Sequence, residues 1–190
     1  MKIAFVFRHG IKDQNGHVTI DCLKDIMEKG IPAITPDPNI GFVYIHRGSI
    51  YLRTEETVRA LQIWLLRHDV NIYEMELEHD PVLGNDYLFN SFTPEVKKIM
   101  SERGLTHYIA VKKLMPDTFL DWRAKLGLLF RDIFHYSMEW GDIMLIPCHS
   151  PTVEMVYNMY AEKPDDKMVV KELDGVFVLQ IKGGRTIAIR

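Results

Sequence analysis

Three apolar runs in this sequence end in side chains capable of chemistry. Ile3–Phe7 runs into Arg8-His9-Gly10, Phe42–Ile45 leads through His46-Arg47-Gly48 to Ser49 and Arg53, and Asp142–Pro147 runs into Cys148 and His149. A guanidinium offers a planar fork that matches phosphate oxygens, in charged hydrogen bonds worth roughly 1.5–3 kcal/mol each. A neutral imidazole carries a lone pair that can attack phosphorus. Each of these residues alone is ordinary: a histidine after a strand is more often a structural donor, and an arginine near a helix start is commonly solvated. Two arginines and two histidines at one sheet edge, however, suggest a site for a phosphoryl group. Ser49 and the helix N-terminus near Arg53 would add a favourable dipole.

The elements that must position these residues follow from periodicity. Ile3–Phe7 is a short continuous apolar run, suited to a buried central strand whose carboxyl end opens onto the ligand edge of a sheet. Asn15-Gly16 marks a turn, and Thr19 caps a helix carrying Ile20, Leu23, Ile26 and Met27, which Gly30 ends. Prolines 32, 36 and 38 make a loop before the second strand, residues 42–45. A strongly amphipathic helix follows, with Val58, Leu61, Trp64 and Leu65 on one face. Residues 70–77 read as a third strand, and residues 78–116 as the least regular part, holding the apolar cluster Tyr87, Leu88, Phe89 and Phe92 and a helix at about 93–103. That cluster is either a satellite core or a lid. A long helix is expected over 117–139, with Phe119, Trp122, Leu126, Leu129, Phe130, Ile133 and Phe134 buried, then a strand at 142–147 and a short helix at 152–160. The runs 173–181 and 186–189 around Gly183-Gly184 predict an antiparallel hairpin. The expectation is one α/β domain over 1–190, a three-layer sandwich. Its mostly parallel central sheet carries helices on both faces and a C-terminal antiparallel hairpin, with a cap or insert region at about 84–116.

Composition excludes several classes. The 190 residues are 47% hydrophobic and 26% charged with a net charge of -3, so nothing in the overall charge draws nucleic acid or an anionic membrane. The N-terminal apolar run is far shorter than a signal-peptide core, and no later run approaches a membrane span. Cys22 and Cys148 are no disulfide framework, and the expected compartment is the reducing cytoplasm. No Walker loop or dinucleotide glycine fingerprint is present.

In these residues the chain resembles the histidine phosphatase superfamily, also called the phosphoglycerate mutase-like family. Its Arg-His-Gly signature stands here as Arg8-His9-Gly10. Its second block, serine then arginine four on then threonine four further, is matched by Ser49, Arg53 and Thr57, and its apolar strand ending in histidine by Met144–His149. The closing hairpin is similar too, so the resemblance spans the chain.

The resemblance implies a phosphatase that hydrolyses phosphate monoesters without metal or organic cofactor. His9 would become a phosphohistidine, while Arg8, Arg53 and His149 hold the phosphoryl oxygens. A carboxylic acid would protonate the leaving alkoxide and then activate water. The family's acid lies in the loop after the third strand, where no glutamate stands at about Asn85; Asp86 is the first choice and Asp80, which before Pro81 also suits a turn, the second. Ile11-Lys12 replaces the frequent Glu-Thr, and Ser150-Pro151 replaces the frequent Gly-Gly. Asn15 falls where many members have a phosphate-contacting asparagine, and is equally a turn residue. The implied partner is a phosphorylated small molecule or phosphoprotein, with no nucleic acid and no membrane. An inactive phosphate-binding module of the same fold and, less favoured, a phosphomutase are the alternatives. A cysteine phosphatase built on Cys148 is set aside, because Glu154 occupies the position where that chemistry needs an arginine.

Overall fold

The first apolar run forms β1 (Lys2–Arg8), and its alternation builds two cores at once. Ala4 and Val6 point to one face of the sheet, Phe5 and Phe7 to the other. A computed structural model describes residues 1–35, 43–46, 48–74, 80–84, 88 and 90–190. In it β1 pairs parallel with β4 (Ile143–Cys148) and antiparallel with β5 (Gly175–Gln180). Beyond β4 lie β2 (Val43–Ile45) and β3 (Ile72–Glu74), both parallel, and β6 (Thr186–Ile189) closes the far edge against β5. The strand order is β3-β2-β4-β1-β5-β6, a mostly parallel six-stranded sheet with the expected antiparallel hairpin.

On the face shared by Phe5, Phe7 and Leu145 lie α1 (Ile20–Lys29) and α2 (Leu52–Leu66), which bury Cys22, Ile26, Val58, Leu61, Trp64 and Leu65. Thr19 caps α1 by accepting the Cys22 N–H, and Gly30 ends it at φ +73°. The opposite face carries α4 (His107–Leu114), α5 (Pro116–Asp132) and α6 (Ser150–Tyr160), packed on Ala4, Val6, Met144 and Ile146. Val96 and Met100 of α3 (Pro94–Arg103) flank that core.

Three expectations change in detail. The predicted helix over 117–139 is α5 followed by a π-helical turn, Ile133–Ser137, in which the consecutive residues Ile133 and Phe134 are both buried. The stretch read as irregular contains α4, whose eight residues are too few for periodicity to stand out; Thr106 caps it through the Ile109 N–H. The third strand begins two residues later than expected, at Ile72, and is described as far as Glu74; residues 75–79 lie outside the described part. Of the apolar cluster, Leu88 and Phe92 are buried in the main core, and Tyr87 and Phe89 lie outside the described residues.

Candidate active site

Strand pairing brings the two histidines together. β1 and β4 are neighbours with Arg8 opposite Cys148, so His9 and His149 leave the sheet side by side. The His9 N–H donates to the Cys148 carbonyl at 3.1 Å, and the two imidazole rings lie 4.9 Å apart. β2 flanks β4 on the other side, and the chain after it turns at Gly48. This residue has φ +73°, and a Cβ there would sit 2.2 Å from the Pro147 carbonyl oxygen, so only glycine fits. The turn places buried Ser49 against His149 and leads Arg53 into the first turn of α2. Gly10 is constrained less tightly, by side chains: a Cβ there would lie 2.8 Å from Cys22 Sγ. Its N–H donates to Thr57 Oγ1, which in turn donates to the Arg53 carbonyl, tying the loop after β1 to α2.

The hydrogen bonds define the protonation of both rings. His9 Nδ1 lies 2.7 Å from the Gly10 carbonyl, which can only accept, so Nδ1 carries the proton. Its Nε2 lone pair accepts Arg53 Nε–H at 3.0 Å. His149 Nδ1 accepts from Arg53 Nη2 at 3.3 Å, and its Nε2–H therefore donates to Ser49 Oγ at 2.8 Å. Burial, first, and then the charges of Arg53 and Arg8 push the His9 pKa down to about 4. Burial, the neighbouring His9 and the same arginines lower His149 to about 2. Both imidazoles are neutral at pH 7 and are held as acceptors by a single guanidinium. Tyr51 supports this group, its ring 4.2 Å from Arg53 Cζ and 5.0 Å from the His149 ring.

A cavity of about 210 Å³ opens onto this cluster, lined by Arg8, His9, Lys12, Arg53, His107, His149, Ser150 and Pro151. Arg8 gives one terminal nitrogen to the Val170 carbonyl at 2.9 Å and the other to Glu172 at 2.7 Å. Three cations and three imidazoles around so small a space suit a compact anion. A larger cleft of about 710 Å³ between α1 and residues 171–174 carries mixed charges, with Lys29 paired to Asp25. Among the described residues no group of three or more His, Cys, Asp or Glu side chains is placed to hold a metal ion.

The structure thus brings Arg8, His9, Arg53 and His149 around one cavity. Ser49 stands behind it, its hydroxyl engaged by His149 and Thr54. Asn15 lies on an exposed turn, its N–H bonded to Asp13, and is absent from the cavity lining. Asp80 caps the 3₁₀ turn Pro81–Leu83, accepting the Val82 N–H at 2.8 Å. Asp86 lies outside the described residues. Sequence reasoning did not single out His107, and it noted Lys12 and Ser150 only as departures from the family pattern. Thr106, a good cap residue, was the available signal that a helix begins at His107.

No protein-family model and no curated protein matches the sequence. Among solved structures the chain is similar to a phosphoglycerate mutase from Bacillus anthracis str. Sterne, with a TM-score of 0.59 over 98% of this chain and 90% of that one, at 13% identity. The fold is phosphoglycerate mutase-like. In this fold the carboxyl ends of β2, β4 and β1 are consecutive, which is why residues as distant in sequence as His9, Arg53 and His149 meet. No helix among the described residues is long and apolar enough to cross a membrane.

Proposed function

We propose that the protein is a phosphatase that hydrolyses phosphate monoesters through a phosphohistidine on His9. One observation carries this reading. His9 holds its proton on Nδ1 against the Gly10 carbonyl, so Nε2 presents a lone pair beside Arg53 at the cavity. That is the state a nitrogen nucleophile needs, and its lowered pKa keeps it so through mildly acidic pH. Arg8, Arg53 and His149 hold the phosphoryl oxygens and stabilise the charge that develops as the ester bond opens. Ser49 acts behind them by fixing His149. Asp86 is the sequence's candidate for the proton donor, and Asp80, engaged as a cap, is the weaker one. The substrate is a phosphorylated small molecule or a phosphoprotein, and the two buried free thiols, Cys22 and Cys148, support a cytoplasmic setting.

Rapid quenching without acid, during turnover of a ³²P-labelled monoester, should trap phosphate on His9. Label on a serine or on Cys148 would refute the mechanism. Binding of inorganic phosphate without any turnover or label would make the protein a phosphate-binding module.

A further inference from the structure

Glu154 has no role in the chemistry described so far, yet it is a buried carboxyl one helical turn from the cavity. It is 3% exposed, and no salt bridge to it is found among the described residues. Its Oε1 accepts the Ser150 hydroxyl at 2.6 Å and the Val170 N–H at 3.3 Å, while Oε2 has no hydrogen-bond partner. Ser150 is the first residue of α6 and lines the cavity beside His9 and His149. The spacing of four puts both side chains on one face of that helix, so the hydroxyl links the buried carboxyl to a residue of the cavity wall. A carboxylate sealed from water without a cation is unfavourable. The groups facing it from other elements are the Cys148 thiol of β4, Arg8 of β1 and Tyr108 of α4. Burial outweighs the lowering effects of Ser150, the backbone donors and Arg8, and pushes the carboxyl up to about 7. It can therefore both carry and release a proton near neutrality.

We propose that Ser150 and Glu154 form a proton relay between the buried carboxyl and the oxygen that leaves the phosphoryl group at His9. The inference rests on the phosphatase reading and fills the role otherwise assigned to Asp86. In the first half-reaction His9 Nε2 bonds to phosphorus as the P–O bond to the leaving group breaks. The departing alkoxide takes the Ser150 hydroxyl proton as that hydroxyl turns away from Glu154, and the protonated carboxyl then donates across the same contact to Ser150 Oγ, leaving a carboxylate. In the second, water attacks phosphorus and the P–N bond breaks. The water's proton returns through Ser150 to Glu154, and inorganic phosphate departs.

The test compares an alkyl with an aryl phosphate monoester, because a phenolate leaves without a proton and an alkoxide does not. Glu154→Gln should lower the alkyl-to-aryl rate ratio by about 10²-fold or more, the usual scale of general acid catalysis. Ser150→Ala should do the same, Ser150→Thr should restore the ratio, and the double variant should be no worse than either single one. In wild type the alkyl rate should fall as pH rises through about 7, where Glu154 deprotonates, and Glu154→Gln should erase that limb. A purely structural role would move neither the ratio nor the limb. Should Glu154→Gln fail to fold, Ser150→Ala decides alone. The relay is overturned if folded Ser150→Ala keeps the wild-type ratio, or if Asp86→Asn produces the selective loss while both relay variants do not. If aryl ester still labels His9 in that case, only the relay fails. If no His9-dependent turnover occurs with either ester, the relay and the phosphatase reading fall together.

Discussion

Protonating His9 should destabilise the fold, and the geometry gives both sign and size. Nδ1 already donates to Gly10, and Nε2 faces the Arg53 Nε–H at 3.0 Å, so a second proton would set donor against donor beside a cation. Burial first, and then the neighbouring Arg53 and Arg8 charges, lower the folded-state pKa from 6.5 to about 4. The unfolded chain takes up a proton as pH falls through 6.5 while the native state refuses it until about 4. In that window the unfolded state binds more protons, and stability falls with pH at up to about 1.4 kcal/mol per pH unit. Integrated from pH 7.5 to 4.5, this one imidazole removes about 2.5 kcal/mol. For a chain of this length that corresponds to roughly 5–10 °C in Tm.

The assay is thermal unfolding of wild type and His9→Gln across that pH range, in buffers free of phosphate and sulfate, whose anions would favour the imidazolium. Both proteins share the remaining carboxylates and histidines, so the difference between the two Tm curves isolates His9. Wild type should lose about 2.5 kcal/mol more than the variant on going to pH 4.5. Arg53→Met, which removes the opposing guanidinium, should weaken the wild-type pH dependence in the same direction. Parallel curves for wild type and His9→Gln would refute the assignment of His9 as a neutral acceptor.

Two further outcomes follow from single hydrogen bonds. Ser49→Ala strands the buried His149 Nε2–H, which should lower stability by about 1–3 kcal/mol in denaturant unfolding and reduce phosphoryl transfer as the ring loses its orientation. Asp80→Asn should preserve the Val82 cap, since asparagine caps as well as aspartate, and should leave both unfolding and the alkyl-to-aryl rate ratio unchanged; Asp80→Ala should cost about 1 kcal/mol.

The residues legible in the sequence are those whose position follows from the end of a strand. The continuous apolar runs Ile3–Phe7 and Met144–Pro147 suit central strands buried on both faces, and the residues just beyond, Arg8-His9 and His149, emerge at one edge. Tertiary packing decides the rest. Whether Ser49 faces the cavity or the back of His149 depends on how Gly48 passes over the Pro147 carbonyl. That Arg8 meets Glu172 depends on the chain returning along β5, since the Arg8 N–H bonds the Asp174 carbonyl and the Leu173 N–H bonds that of Arg8. His107 reaches the cavity from a helix 98 positions away from His9, and no local pattern around it carries that information. Glu154 looked like a departure from another enzyme's motif, and only its burial and its bond to Ser150 give it a possible chemistry.

Arg53 is the pivot of this arrangement. One guanidinium donates to the lone pairs of both imidazoles, so in the resting structure the His9 lone pair is engaged by a proton donor and not by phosphorus. A phosphoryl group carries oxygens that are stronger acceptors than an imidazole, and each charged hydrogen bond it offers is worth roughly 1.5–3 kcal/mol. On entering the cavity it can draw the Arg53 N–H groups onto itself, leaving His9 Nε2 uncovered beside the phosphorus it is to attack. The donors released by the histidines are taken up by the ligand, whose charged hydrogen bonds offset the loss of the weaker one to His149 Nδ1. A lysine in place of Arg53 would present a point charge without this planar fork, and could not bridge two rings and then grip two oxygens in the same orientation. Under the proposed chemistry the same arginine therefore holds the histidines neutral before the substrate arrives and stabilises the transferring group afterwards.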